Sequence, residues 1–422
     1  MKFHIEPSQL RGSIQIPSSK SHTLRAILFA LMGKGKSVIH DFLPSPDSQA
    51  MIKAITQLGA KVTQFDQSLH IEGVAGCLSC PATAIDAGNS GIVLRFAGAI
   101  SALSSHLITI TGDHSLQHNR PVLPLLAGLK DLGAYVESKN GHAPITIQGP
   151  IKPGIARLSG EDSQPVSGLL IAASFLQGSS NIYVTNPGEK PWIDLTLFWL
   201  KKIGIEVQNN SYEHYFVPGG ASYDRFEIRI PGDFSTAAFP IGAALITGST
   251  LELTNLDVND VQGDKKVIEI LRNMGAAVEI DSTNHKVFVK NGGKLIGQKI
   301  DINDCIDAIG ILSVIGCFAE GTTEIVGAAI ARKKECDRIH AIATELKKMG
   351  AKIEEREDGL LIHQSPLKGA TLETYNDHRM VLSLSVAALG AQGPSVIHGI
   401  ESVKKTYPDF KRDFQKIGGK IV

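Results

Sequence analysis

Seven cations stand out in this sequence by where they fall: Lys20, Arg25, Arg120, Lys334, Arg338, Arg379 and Lys405. Several lie at or just after a short polar opening that leads into apolar residues, as in Lys20-Ser21-His22-Thr23-Leu24-Arg25-Ala26 and Asn376-Asp377-His378-Arg379-Met380. A single cation at such a place is an ordinary solvated helix start. Seven of them in one site would neutralise ligands carrying several negative charges, each close pair contributing up to about 4 kcal/mol at an effective dielectric near 20. Without ligand the clustered cations should repel one another, which predicts a site that stays open until anions enter. Two carboxylates accompany them. Asp307 precedes an almost wholly apolar stretch and reads either as an N-cap or as a general base at the positive end of a helix. Glu335 lies beside Lys334 and Arg338, which on a helix would be four apart on one face. Ser163 and Gln164 offer neutral donors and acceptors suited to hydroxyl and phosphate oxygens. Gly88 and Gly91 flank Asn89-Ser90 and would let backbone approach a ligand closely.

These residues need elements to hold them, and the chain supplies a repeat. A glycine after an amphipathic stretch recurs at Gly59, Gly133, Gly204, Gly275, Gly350 and Gly418, the usual place of a left-handed helix C-cap. Apolar helices are expected to open near Ser21, Ser90, Ser163, Ser235, Asp307 and Asp377. A helix apolar all round is a buried one. Each unit therefore reads as buried helix, strand, amphipathic helix, glycine, strand, strand. At 422 residues the chain is too long for one core and suggests two domains of about 200 residues, hence three units in each. Helix starts carry free N–H groups and about half a positive charge. If both sets of starts face a cleft between the domains, that cleft attracts anions.

Composition narrows the class. The 42 basic residues balance 42 acidic ones, which argues against a general nucleic-acid or membrane-surface binder. No apolar run approaches the roughly 18 residues of a membrane span, and Met1–Pro7 lacks the apolar core of a signal peptide. Five cysteines fit sparse reduced thiols, so a cytoplasmic location is expected. Gly33-Lys34-Gly35-Lys36-Ser37 resembles half a phosphate-binding loop but ends a helix where that loop opens one. Cys77 and Cys80 have metal-like spacing without a second ligand pair. No metal and no organic cofactor is expected.

The ordered series Lys20-Ser21-x-x-x-Arg25, Gly88-Asn89-Ser90-Gly91, Leu116-x-x-x-Arg120-Pro121, Asp307-Ala308, Lys334-Glu335-x-Asp337-Arg338, Asn376-Asp377-His378-Arg379-Met380 and Lys405-Thr406 resembles the motifs of EPSP synthases along nearly the whole chain. Pro17–His22 and Lys190–Thr196 resemble the chlamydial-type branch. The resemblance implies an α/β fold, a two-domain inside-out α/β barrel of six βαβαββ repeats. One domain would comprise residues 1–18 and 231–422, the other the inserted residues 19–230, with the active site in the cleft. It also implies enolpyruvyl transfer from phosphoenolpyruvate to the 5-hydroxyl of shikimate 3-phosphate by a monomer, with small molecules, not nucleic acid or membrane, as its partners.

Carried over motif by motif, Lys20, Ser21, Arg25, Ser163, Gln164, Asp307 and Lys334 would bind shikimate 3-phosphate. Lys20, Gly91, Arg120, Gln164, Arg338, Arg379 and Lys405 would bind phosphoenolpyruvate. Asp307, Lys20, Glu335 and Lys405 would be catalytic. The sequence departs from the commoner pattern at Asp162 and Glu189, where serines are frequent, and at Trp192, Ile330 and Ile92. The sister transferase acting on UDP-N-acetylglucosamine usually has a cysteine where Ser115 stands, which disfavours that activity.

Overall fold

Six stretches rich in Ala, Leu and Ile form helices buried along almost their whole length: Lys20–Met32, Gly91–Ser101, Ser163–Ser174, Phe234–Ile246, Ile309–Phe318 and His378–Leu389. Five open on a side-chain cap that accepts a backbone N–H: Ser19, Ser90, Asp162, Asp233 and Asp377. Such a cap satisfies one of the donors that a helix start leaves unpaired. The fifth helix differs. A 3-10 segment, Asn303–Ala308, precedes Ile309–Phe318, and no side chain caps that helix. Asp307 is therefore not an N-cap, and its carboxylate is available to other side chains.

The computed structural model describes all residues from Met1 to Val422. They divide into an inserted unit, Ser19–Ile230, and a terminal unit made of Met1–Ser18 and Pro231–Val422. The six predicted glycines all have left-handed backbone, with φ from +87° at Gly204 to +112° at Gly59. A Cβ disfavours that conformation, so glycine ends each of these helices cheaply and turns the chain into the next strand.

Each unit carries three four-stranded sheets. In the inserted unit, Ile155–Ser159 pairs parallel with Ser180–Thr185, Ala156 opposite Ile182. Ser180–Thr185 in turn pairs antiparallel with His214–Val217. The parallel pair needs a crossover connection, and the buried helix Ser163–Ser174 supplies it. The other sheets repeat this order. The first sheet of the inserted unit is completed by its last strand: Glu227–Arg229 pairs parallel with Lys36–His40. In the terminal unit, Arg11–Gln15 from the chain start pairs parallel with Thr250–Thr254, Ile14 opposite Leu253. Lys2–Glu6 lies between Ser395–His398 and Lys420–Ile421. Strand burial alternates, as in Lys2–Glu6 and His142–Gln148, so each sheet has one face toward its unit's core and one toward water. In the terminal unit that core is continuous and includes Phe239, Ile311, Ile315, Leu384, Phe410 and Phe414.

Candidate active site

In the inserted unit the polar ends of the three buried helices are tied together by side chains. Lys20, in the first turn of Lys20–Met32, has its Nζ 3.8 Å from Asp47 Oδ2. The Ser90 hydroxyl donates to the same Asp47 oxygen at 3.1 Å. Ser21 is buried, and its carbonyl accepts from Arg25 Nη1 at 3.2 Å. Arg25 also donates from Nε and Nη2 to Thr196 Oγ1 at 3.1 and 2.9 Å, and from Nη2 to the Trp192 carbonyl at 3.2 Å. Its guanidinium lies over the Phe96 ring, 5.1 Å from the centroid. These partners are neutral, and burial alone pushes the Arg25 pKa down to about 9. A cation kept out of water in this way gains from an incoming anion.

Gly91 marks a second convergence. A Cβ there would sit 2.7 Å from Arg95 Nη1, 2.9 Å from Arg120 Nη1 and 3.1 Å from Gln164 Oε1. The bare backbone thus lets two guanidinium groups and an amide meet over it. Arg120 Nη1 donates to the Asn89 carbonyl at 3.3 Å. Arg95 was not among the sequence candidates. It is 2% exposed and donates to Gln164 Oε1 at 3.1 Å and the Pro121 carbonyl at 2.9 Å. Its Nη2 also lies 3.0 Å from Asp162 Oδ2. One cation therefore fixes both Gln164 and the Arg120-Pro121 turn. The signal was present: Arg95 interrupts an otherwise apolar run from Ile92 to Ile100, and a buried arginine there requires polar partners.

Ser163 and Asp162 open the third helix. Asp162 Oδ1 accepts the Gln164 N–H at 3.0 Å, while Ser163 donates both its N–H and its hydroxyl to Glu189 Oε2, at 3.0 and 3.1 Å. The neutral donors expected at this start are thus taken by carboxylates.

The terminal unit gathers Asp307, Glu335, Arg338, Arg379 and Lys405 into one network. Arg338 donates from Nε to Asp377 Oδ2 at 2.7 Å, from Nη1 to Asp307 Oδ1 at 2.7 Å and from Nη2 to Glu335 Oε2 at 2.8 Å. Arg379 Nη2 reaches Asp307 Oδ2 at 2.9 Å, and Lys405 Nζ reaches Glu335 Oε1 at 2.6 Å. Burial disfavours the Arg338 charge, but Asp377, Glu335 and Asp307 outweigh it and hold its pKa well above the usual value. Arg379 keeps Nε and Nη1 buried without a hydrogen-bond partner.

Two expectations are corrected here. The cations of this unit do not face one another bare: Arg338, Arg379 and Lys405 alternate with Asp307, Glu335 and Asp377, so mutual repulsion is cancelled inside the network. Nor do Lys334 and Arg338 share a helix face. Ala329–Lys333 is a 3-10 segment, Lys334 follows it in a non-helical conformation, and the next helix opens at Arg338 behind its cap Asp337. Lys334 is half-buried and is placed by this bend.

The arrangement can bind anions and move protons. Buried guanidinium groups and a lysine ammonium supply directed positive charge. Asp307 and Glu335 are carboxylates whose present partners an anionic ligand could take over.

A family model described as EPSP synthase (3-phosphoshikimate 1-carboxyvinyltransferase) matches residues 5–414. The chain is 42% identical over 414 residues to the 3-phosphoshikimate 1-carboxyvinyltransferase of Chlamydia pneumoniae, covering 97% of this chain and 92% of that one. It is 40% identical over 423 residues to the enzyme of the same name from Acetivibrio thermocellus, covering 100% of this chain and 99% of that one. In structure it is similar to EPSP synthase from Acinetobacter baumannii, with a TM-score of 0.84 and 29% identity over 100% of this chain and 99% of that one. A match of this length, in sequence and in the two-unit α/β architecture alike, leaves no part of the chain unaccounted for: it belongs to the EPSP synthase family.

Proposed function

We propose that the chain transfers the enolpyruvyl group of phosphoenolpyruvate to the 5-hydroxyl of shikimate 3-phosphate and releases phosphate. The hydroxyl oxygen attacks C2 of phosphoenolpyruvate while C3 gains a proton, giving a tetrahedral intermediate. The C2–O bond to phosphate then breaks and C3 loses a proton, leaving an enol ether. Atoms and electrons balance between the two substrates alone.

The observation that carries this reading is the alternating network of the terminal unit. Phosphoenolpyruvate brings a carboxylate and a phosphate, which are acceptors for Arg338, Arg379 and Lys405. The unpartnered Nε and Nη1 of Arg379 are buried donors of the kind such a ligand satisfies. As the anion takes these cations, Asp307 and Glu335 are released from them. Asp307 then accepts the proton of the attacking hydroxyl, and Glu335, Lys405 and Lys20 serve the proton transfers at C3 and the leaving phosphate. Arg120, Gln164 and the open backbone of Gly91 are assigned to the same anion. Ser21, Arg25, Ser163, Gln164, Lys20, Lys334 and Asp307 are assigned to the acceptor. Buried Arg25, held by neutral oxygen atoms, suits an anionic group of shikimate 3-phosphate.

No helix is long and apolar enough to cross a membrane; a monomer in the cytoplasm fits the reading and is checked by light scattering and fractionation. The decisive assay is phosphate release from phosphoenolpyruvate. Release is expected with shikimate 3-phosphate, and none with UDP-N-acetylglucosamine. Turnover with only the nucleotide sugar would overturn the assignment.

A further inference from the structure

The start of Ser163–Ser174 is occupied by the protein's own acids. Ser163 directs both of its donors to Glu189 Oε2, at 3.0 and 3.1 Å, and the Gln164 N–H goes to Asp162. Glu189 is built into this position. It is 2% exposed and has left-handed backbone, φ 47° and ψ 41°, just before the helix Lys190–Lys202. That conformation is uncommon for a residue with a long side chain and persists where surrounding structure over-determines it. Here the surroundings do so: the Gly160 N–H bonds the Thr185 carbonyl, the Gly188 N–H bonds the Gly160 carbonyl, and the Trp192 N–H bonds the Glu189 carbonyl, at 2.8, 2.9 and 3.0 Å. The loop that ends the strand Ser180–Thr185 is thereby stitched to the end of Ile155–Ser159, with the Glu189 carboxylate aimed at Ser163.

We infer that Glu189 limits the affinity of the site for the acceptor, as an internal competitor for the donors that the acceptor's phosphate would use. The inference rests on the proposed assignment of Ser163 to shikimate 3-phosphate. An ionised carboxylate and a phosphate are both acceptors, and two acceptors cannot be satisfied by the same two hydrogens. Acceptor binding at Ser163 therefore requires the Glu189 carboxylate to turn away or take up a proton. Either step weakens binding of the phosphorylated acceptor relative to a site with a neutral residue at 189. Glu189→Gln keeps the length of the side chain, removes the charge and adds an N–H₂ donor for phosphate oxygens.

The test is calorimetric titration of shikimate 3-phosphate into the purified wild-type chain, Glu189→Gln, Glu189→Ser and Glu189→Asp, with melting curves for each. Removing the charge is expected to tighten binding by on the order of tenfold in the Gln and Ser variants. Glu189→Asp keeps the charge and should show no such gain. The KM for phosphoenolpyruvate should move by less than about twofold, because the competition concerns the acceptor alone. Unchanged or weaker binding in a folded Gln or Ser variant overturns the inference, and so does equal tightening in Glu189→Asp, which would point to loosened packing. Either neutral variant decides the matter if the other does not fold. A wild-type chain that neither binds nor turns over shikimate 3-phosphate would overturn the proposed function, and this inference with it.

Discussion

Arg25 of the inserted unit and the cations of the terminal network hold buried positive charge in opposite ways. In the terminal unit each of Arg338, Arg379 and Lys405 is bonded to a carboxylate within 3 Å. In the inserted unit Arg25 is just as deeply buried yet is held by a hydroxyl and two carbonyls. The difference is one of timing. A paired cation exchanges partners when an anion arrives, so little net charge is buried at any stage, and the displaced carboxylate becomes available for proton transfer. A cation held by neutral oxygens carries its desolvation cost in the unliganded protein and recovers it on binding. The first arrangement suits a site that performs chemistry, and the second suits one that holds a substrate.

The largest effect expected from this contrast concerns Asp307. Asp307→Ala should lower kcat by about a thousandfold, within the usual range for losing a general acid or base, while changing the KM for phosphoenolpyruvate far less. A near-normal kcat in the phosphate-release assay would reduce Asp307 to a counter-ion for Arg338 and Arg379. Next comes Arg120→Ala, which should raise the KM for phosphoenolpyruvate by roughly tenfold to a hundredfold, the cost of one charge-assisted contact. If KM and kcat both stay put, the convergence over Gly91 is structural only. The smallest effect is on stability. Arg25→Gln removes a buried charge that lacks a carboxylate, so the unliganded protein should melt about 2–4 °C higher. The same variant should lose most of the melting-temperature gain that shikimate 3-phosphate gives the wild type. A lower melting temperature in the variant would mean that the hydrogen bonds to Thr196 and Trp192 outweigh the buried charge.

Much of the fold was legible because it is written in local preferences. Gly59, Gly133, Gly204, Gly275, Gly350 and Gly418 needed no tertiary contact to be read as helix ends, and the apolar helices declared their burial by composition. The candidate site was legible only as a set of residue types, several of them at recurring positions. Its wiring was not. Asp307 read either as a cap or as a general base because it stands before an apolar run; the 3-10 turn at Asn303–Ala308 removes the cap reading and sends its carboxylate to Arg338 and Arg379. Lys334 read as a helical neighbour of Arg338 because it stands four positions before it, but the bend before Asp337 leaves Lys334 outside the helix that Arg338 opens. Arg95 was passed over although a cation in an apolar helix is itself a signal.

Taken alone, the sequence determined the six repeats, the helix ends, the family and the cast of charged residues, since turn conformation, helix propensity and apolar patterning act over a few neighbouring positions. Only the tertiary structure decided who pairs with whom. Ion pairs and hydrogen bonds act over about 3–4 Å, and the partners that matter are far apart in the chain: Arg25 meets Thr196, 171 residues away, and Arg379 meets Asp307, 72 away. Whether a buried cation meets a carboxylate or a hydroxyl is settled by which elements pack together, and so is whether Ser163 offers its donors to a ligand or gives them to Glu189.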